Sequence, residues 1–169
     1  MTFEIERKWL ISAGRVPYDL TRAEKQTMEQ AYVSFDPTIR IRRINDGERH
    51  VLTVKARSGN GSALVRREEE FDISAESYAF LMRKHEGCVL TKTRYKVRNA
   101  DGYTEEIDIF EGDLAGLAYL EIEFPSVEKA AAYPSPSWVD KEVTEDPAFT
   151  NAALARFGRP PVSGASNRR

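Results

Sequence analysis

Phe3-Glu4-Ile5-Glu6-Arg7-Lys8-Trp9-Leu10 opens the chain. Glu4, Glu6 and Lys8 alternate with Ile5 and Arg7, and in a β-strand residues two apart share a face. Two carboxylates and one ammonium therefore line one side within about 14 Å, at roughly 3.4 Å per residue. Two acids at i and i+2 repel unless something positive sits between them. A divalent cation would do that, and the lysine beside them could hold an anion. A solvated strand is the plainer alternative, and the rest of the chain decides between the two.

The same alternation returns along the sequence. After this first strand, over about 2–11, a polar stretch at 16–27 reads as a loop or short helix. Strands are predicted near 28–35, 38–44, 49–56, 63–72, 89–98, 103–110 and 118–124. Asn45-Asp46-Gly47, Gly59-Asn60-Gly61 and Asn99-Ala100-Asp101-Gly102 mark turns between them. A helix over 75–86 has Ser74 as N-cap and Gly87 as terminator. Tyr78, Leu81, Met82 and His85 form its packing face. Ser126 caps a short helix at 127–132, and a last helix at 147–157 has Asp146 as N-cap and Pro147 at N1. Eight strands joined mostly by hairpins make an antiparallel sheet, and eight is a natural number for closing a barrel. The expected class is α+β: an eight-stranded antiparallel β-barrel, helices packed outside, and a C-terminal helix. Residues 1–158 read as one domain and 159–169 as a disordered polar tail.

Composition narrows the function. The 169 residues are 41% hydrophobic and 31% charged, with 25 Lys+Arg against 27 Asp+Glu and a net charge of −2. Balanced charge argues against a nucleic-acid partner. Cys88 is the single cysteine, which excludes a Cys-rich zinc site, and His50 and His85 are the two histidines, which argues against a His-based metal or catalytic site. Any metal should be a hard, oxygen-seeking cation such as Mg2+ or Mn2+. No apolar run is long enough to span a bilayer and no signal segment precedes the first strand, so a cytoplasmic protein without a membrane partner is expected. A homodimer is compatible with the sequence.

The charges cluster by strand. Arg40 and Arg42 alternate with Ile39 and Ile41. Lys55 ends its strand. Glu68 and Glu70 follow Arg66, Lys92 and Arg94 precede Lys96, Glu106 precedes Asp108, and Glu121 precedes Glu123. One such strand is ordinary, since a half-buried sheet shows apolar and polar faces. Seven such strands are not, because whole strands carry one sign where neutral polar residues would serve. Charges facing a barrel interior must be paired or ligated. The acids Glu4, Glu6, Glu68, Glu70, Asp108, Glu121 and Glu123 suit one or two metal ions. The bases Lys8, Arg40, Arg42, Lys55, Lys92 and Arg94 suit a polyanion, Arg by its fork and Lys as a compact charge.

These residues resemble the CYTH, or triphosphate tunnel metalloenzyme, family. The hallmark ExExK is present as Glu4-Ile5-Glu6-Arg7-Lys8. Further matches are Gln30-Ala31-Tyr32, Arg40-Ile41-Arg42, Leu52-Thr53-Val54-Lys55, Arg66 to Glu70, Lys92-Thr93-Arg94-Tyr95, Glu106 to Phe110 and Leu120-Glu121-Ile122-Glu123. Trp138, Lys141-Glu142-Val143-Thr144 and Asn151 resemble the C-terminal signature, with Phe149 where the family pattern has tyrosine. ExExK alone is weak, but the ordered set from 4 to about 155 is strong. The resemblance implies a charged β-barrel tunnel and metal-dependent chemistry on a triphosphate.

On this reading Lys8, Arg40, Arg42, Lys55, Lys92 and Arg94 bind substrate. Glu4, Glu6, Glu121 and Glu123 hold one metal. Glu68, Glu70 and Asp108 hold a second metal or orient the attacking water, and Lys92 protonates the leaving phosphate. Inorganic tripolyphosphate is the first expected substrate. A class IV adenylate cyclase, a thiamine or nucleoside triphosphatase, and a non-catalytic polyphosphate-binding module remain alternatives. Trp9 and Trp138 are expected in the core, Cys88 buried, His50 on a strand surface, and Tyr32 outward against a helix. Glu142 and Thr144 read equally as functional or as struts for the C-terminal segment.

Overall fold

Alternating sequence becomes antiparallel sheet. A computed structural model describes residues 2–56 and 65–161. Its strands are β1 Thr2–Leu10, β2 Glu24–Phe35, β3 Thr38–Ile44, β4 Arg49–Ala56, β5 Val65–Asp72, β6 Glu86–Arg98, β7 Thr104–Phe110, β8 Ala118–Glu123 and the two-residue β9 Lys141–Glu142. The helices are α1 Ala75–Met82, α2 Val127–Ala132 and α3 Asn151–Phe157. The fold is α+β and mostly antiparallel sheet. The strand order is β5-β4-β3-β2-β6-β7-β8-β1-β9, and β5 at one end also pairs with β1 at the other. β1 meets β8 along Glu6–Leu10, β5 along Thr2–Ile5 and β9 at Trp9 and Leu10. No helix among the described residues is long and apolar enough to cross a membrane.

Two faces follow from the period of two. On one, Trp9, Ile107, Leu120, Ile122 and Phe124 pack with Ala130 of α2, and Tyr18, Tyr133 and Trp138 lie against them. Farther round that face, Ala31 and Ile41 take Tyr78, Leu81 and Met82 of α1. The other face carries charge along most of its length and then turns apolar. Leu90, Phe110 and Tyr119 stand two positions beyond Lys92, Asp108 and Glu121, and they join Tyr32, Val143, Phe149, Leu154 and Ala155 in a separate buried cluster. Tyr32 is thus on this charged-and-apolar side with α3, not outward against another helix. Cys88 is exposed rather than buried.

Several element boundaries differ from expectation for local reasons. α1 stops at Met82, and Gly87 lies inside β6 instead of ending the helix. Gly87 has φ +70, and a Cβ there would stand 2.4 Å from the carbonyl oxygen of Ala155. Glycine is required because α3 lies directly on β6 at that point. His85, past the end of α1, is exposed. The last helix is split: Asp146 caps a 3-10 turn at Pro147–Phe149, and Thr150 is extended and caps α3 through Ala153 N. Threonine favours that capping role over continuing the helix. Asn45, Asp46 and Gly47 take positive φ and turn the chain between β3 and β4. The turn at Gly59-Asn60-Gly61 and the tail from 162 lie outside the described residues.

The outward face of β1 is clamped by the C-terminal segment. Arg7 forks onto Glu142, with Nε at 2.7 Å from Oε1 and Nη2 at 2.6 Å from Oε2. Its Nη1 also donates to the carbonyls of Ala130 and Tyr133, at 2.8 and 2.5 Å. The guanidinium lies 4.8 Å from the centre of the Trp9 ring, and Trp9 Nε1 donates to Ser135 Oγ. Thr144 Oγ1 accepts from Lys8 N at 3.0 Å. Glu142 and Thr144 thus tie the C-terminal segment to β1. Arg7→Ala should cost about 2–3 kcal/mol, because two carbonyls and a carboxylate lose their donor. Thermal melting should then fall by about 5–10 °C. Arg7→Lys should recover little of it, since an ammonium cannot fork.

Candidate active site

Strand register brings the charged side chains together. Glu6 stands opposite Glu123 and Lys8 opposite Glu121. Glu106 faces Glu121 across β7 and β8, and Arg94 faces Asp108 across β6 and β7. On the far side Lys55 stands opposite Glu68 and Arg40 opposite Thr53. Each of the six expected anion-binding cations is paired with an acid. Lys8 reaches Glu121 at 2.9 Å, Arg40 reaches Glu68 at 3.0 Å, and Arg42 reaches Glu70 at 2.5 Å. Lys55 also pairs with Glu68, and Lys92 with Asp108. Arg94 binds Asp108, Glu106 and Glu121 at once.

Asp108 is the most enclosed of these groups, with 0% exposure, and Lys92 shows 3%. Burial opposes ionisation of Asp108, but Arg94 and Lys92 outweigh it and hold the carboxyl below its usual range. Glu121 is likewise held low by Lys8 and Arg94 against burial. Glu68 is brought to about 2 by Arg40 and Lys55, again against burial. Burial draws the Lys92 ammonium down despite Asp108, and burial with Arg40 beside it lowers Lys55. Burial, then the like charge of Arg40, brings Arg42 down to about 10. Arg40 and Arg42 each keep a buried Nε with no hydrogen-bond partner among the described residues. A buried donor without an acceptor points to a ligand or solvent that supplies one.

The expected metal ligands divide into two groups. Glu68, Glu70, Asp108 and Glu121 are engaged by cations, Glu70 by Arg42 and Arg49 at the more open end. Glu4, Glu6 and Glu123 carry less positive charge around them. Burial and the neighbouring Glu68 carboxylate raise Glu4 to about 8. Glu123 is raised by burial, then by Glu106 and Glu6. Among the described residues no three acidic, histidine or cysteine side chains are gathered to enclose a metal by themselves. That is compatible with Mg2+, which takes one or two carboxylates and completes its shell with phosphate oxygens and water. The facing pair Glu6 and Glu123 is an all-oxygen donor set of that size.

Sequence patterning did not reveal Gln30, Thr53 or Tyr119 as part of this face. Gln30 and Thr53 are buried, Gln30 Nε2 donates to Tyr32 Oη, and Arg40 Nη2 donates to Thr53 Oγ1. Thr53 and Tyr119 share the parity of the charged residues on their strands, Lys55 and Glu121, and Gln30 and Thr53 fall inside the matched family motifs.

No family model matches the chain. It is 34% identical over 154 residues to an inorganic triphosphatase of Nitrosomonas europaea, covering 90% of this chain and 96% of the relative. It is 34% identical over 156 residues to an inorganic triphosphatase of Acetivibrio thermocellus, covering 90% and 93%. The crystal structure of an inorganic triphosphatase superposes with a TM-score of 0.67 at 32% identity, over 95% of this chain and 98% of that one. A Hippeastrum protein described as a putative adenylyl cyclase with a dominant triphosphatase activity is 17% identical. Its TM-score is 0.57 over 78% of this chain and 83% of that one, a likeness of fold alone.

The depressed carboxylate of Glu68 links the site to stability. Its pKa lies below the ordinary 4.5, so its contribution is complete above pH 4.5 and fades as pH falls toward 2. Glu68→Gln should cost about 3 kcal/mol at pH 7, the value of that shift. Urea unfolding of both proteins from pH 5 to pH 3 should show the gap narrowing as pH falls below 4.5. A gap that is constant with pH would contradict the pairing.

Proposed function

The chain belongs to the CYTH, or triphosphate tunnel metalloenzyme, family, and on that premise we propose that it hydrolyses inorganic tripolyphosphate to pyrophosphate and phosphate. One observation carries the reading. Lys8, Arg40, Arg42, Lys55, Lys92 and Arg94 share one face of a single sheet, and Arg40 and Arg42 keep buried donors without acceptors. A linear, densely charged anion supplies acceptors along such a row, and Arg forks match phosphate oxygens. The pairing of β5 with Thr2–Ile5 gives β1 partners on both edges and supports a closed eight-stranded barrel around the anion.

Phosphoryl transfer asks the protein mainly for positioning and charge neutralisation. The cations align the chain of phosphates, and a water attacks the terminal phosphorus as its bond to the bridging oxygen breaks. The Lys92 ammonium, lowered by burial, stands ready to give a proton to the departing pyrophosphate. Asp108 holds that ammonium in place. Mg2+ or Mn2+ would be held by Glu4, Glu6 and Glu123, where it supplies neutralisation of phosphate charge. As phosphates replace Glu121 or Glu68 beside Lys8, Arg40 and Lys55, those carboxylates become available as further oxygen donors.

An adenylate cyclase would need the same row of cations, but only a distant fold likeness points that way. Tripolyphosphate and ATP offered in parallel with Mg2+ or Mn2+ should give phosphate release from tripolyphosphate as the dominant reaction. Cyclic AMP as the main product would overturn the choice. Glu6→Gln should abolish turnover while the melting temperature is retained. Calorimetry should show its Mn2+ affinity falling at least tenfold, in the range produced by loss of a supporting metal partner. Full activity in that variant would remove Glu6 from the metal site.

A further inference from the structure

Phe110 and Tyr119 take no part in the chemistry above, yet two of the three site lysines, Lys8 and Lys92, rest on them. The two rings stand edge to face, with centres 5.3 Å apart and planes at 77°. Lys92 Nζ lies 5.5 Å from the centre of the Phe110 ring, and Lys8 Nζ lies 5.3 Å from the centre of the Tyr119 ring. Register accounts for part of this: Phe110 is opposite Lys92, and Tyr119 is opposite Asp108, the partner of Lys92. Both rings are buried against Leu90, Leu117, Val143 and Leu154, so they form a dry base to the charged face.

An ammonium within about 6 Å of a ring centre is attracted by the ring quadrupole, most strongly when desolvated. That attraction differs from an ion pair. Asp108 and Glu121 each take a directional hydrogen bond from a lysine, whereas a ring face takes no acceptor position. An aliphatic base would exclude water equally but would not attract the charge. We propose that the Phe110–Tyr119 pair is a positioning floor for the triphosphate site, holding the Lys8 and Lys92 side chains centred over the ring faces where the phosphates bind. The proposal rests on the reading of this face as a triphosphate site. The Tyr119 hydroxyl is buried without a hydrogen-bond partner among the described residues, so the ring and the hydroxyl must be tested separately.

The test compares Phe110→Leu, Tyr119→Leu and Tyr119→Phe. Tyr119→Phe keeps the ring, so it should restore most of the kcat/KM that Tyr119→Leu loses for tripolyphosphate. Each Leu variant should lose about tenfold in kcat/KM, the scale of one desolvated cation–ring contact. The loss should fall on KM for Tyr119→Leu, through Lys8, and on kcat for Phe110→Leu, through Lys92. If either Leu variant fails to fold, Met at the same position replaces it, a flexible side chain without a ring. Folded ring-less variants with wild-type kcat and KM would reduce the floor to packing and overturn the proposal. Calorimetric affinity for tripolyphosphate separates the two readings. A wild type that binds without turnover defeats the hydrolase reading, and the floor then stands or falls on a weakened affinity in Tyr119→Leu. A wild type that neither binds nor turns over defeats both.

Discussion

Asp108 has no access to solvent and remains ionised, and much of the structure answers to that. A buried carboxylate without partners would cost several kcal/mol. Lys92 and Arg94 on the adjacent strand supply those partners, and Arg94 passes the constraint on to Glu121 and Glu106. Glu121 in turn fixes Lys8 on β1. The pairs also guard the register of the sheet. A slip of one residue between β6 and β7 would move Asp108 toward the apolar side with Ile107 and Ile109, leaving Lys92 and Arg94 uncompensated.

The same pairing prepares the face for its anion. Six cations on one surface would repel each other and scatter if nothing held them. Acids hold them, but incompletely: Lys55 and Lys92 are drawn below the ordinary lysine value, and Arg42 to about 10. Burial and, for Lys55 and Arg42, the charge of Arg40 cause this, so a denser anion would relieve what the carboxylates leave. The acids near the open edge show the complementary strain. Glu4 and Glu123 are raised, burial first and like charge second, and Glu6 faces Glu123 directly. The row of cations is held by carboxylates, while Glu4 and Glu6 meet lysines only at 4.0 and 3.9 Å, an arrangement suited to a polyanion bound with a cation.

Most of this was legible from alternation. Strands β3 and β4 fall where the pattern placed them, and the charged residues named from sequence share a face because the period of two forces them to. Periodicity could not say which acids are captured by which bases. Glu68 and Glu70 look alike in sequence, yet Glu68 is enclosed by Arg40 and Lys55 while Glu70 meets Arg42 and Arg49 at the open end. Gly87 was misread because a glycine after a helical run normally ends it, and the contact with Ala155 that requires it lies 68 positions away. Tyr32 and Tyr119 were invisible as site neighbours because an aromatic on a strand gives no sign of which layer it enters.

β1 joins these themes in one strand. Its even positions, Glu4, Glu6 and Lys8, carry the site, and its odd positions, Arg7 and Trp9, are held from behind by Glu142, Ser135 and the end of α2. Thr144 and Val143 bond the backbone of Lys8 itself. The C-terminal segment therefore touches the site twice: it clamps the back of the strand, and through Val143, Phe149 and Leu154 it fills the apolar base under the lysines. A change in that segment reaches the chemistry through the placement of Lys8. Residues as far along the chain as Glu142 and Thr144 are in this way coupled to the placement of Lys8.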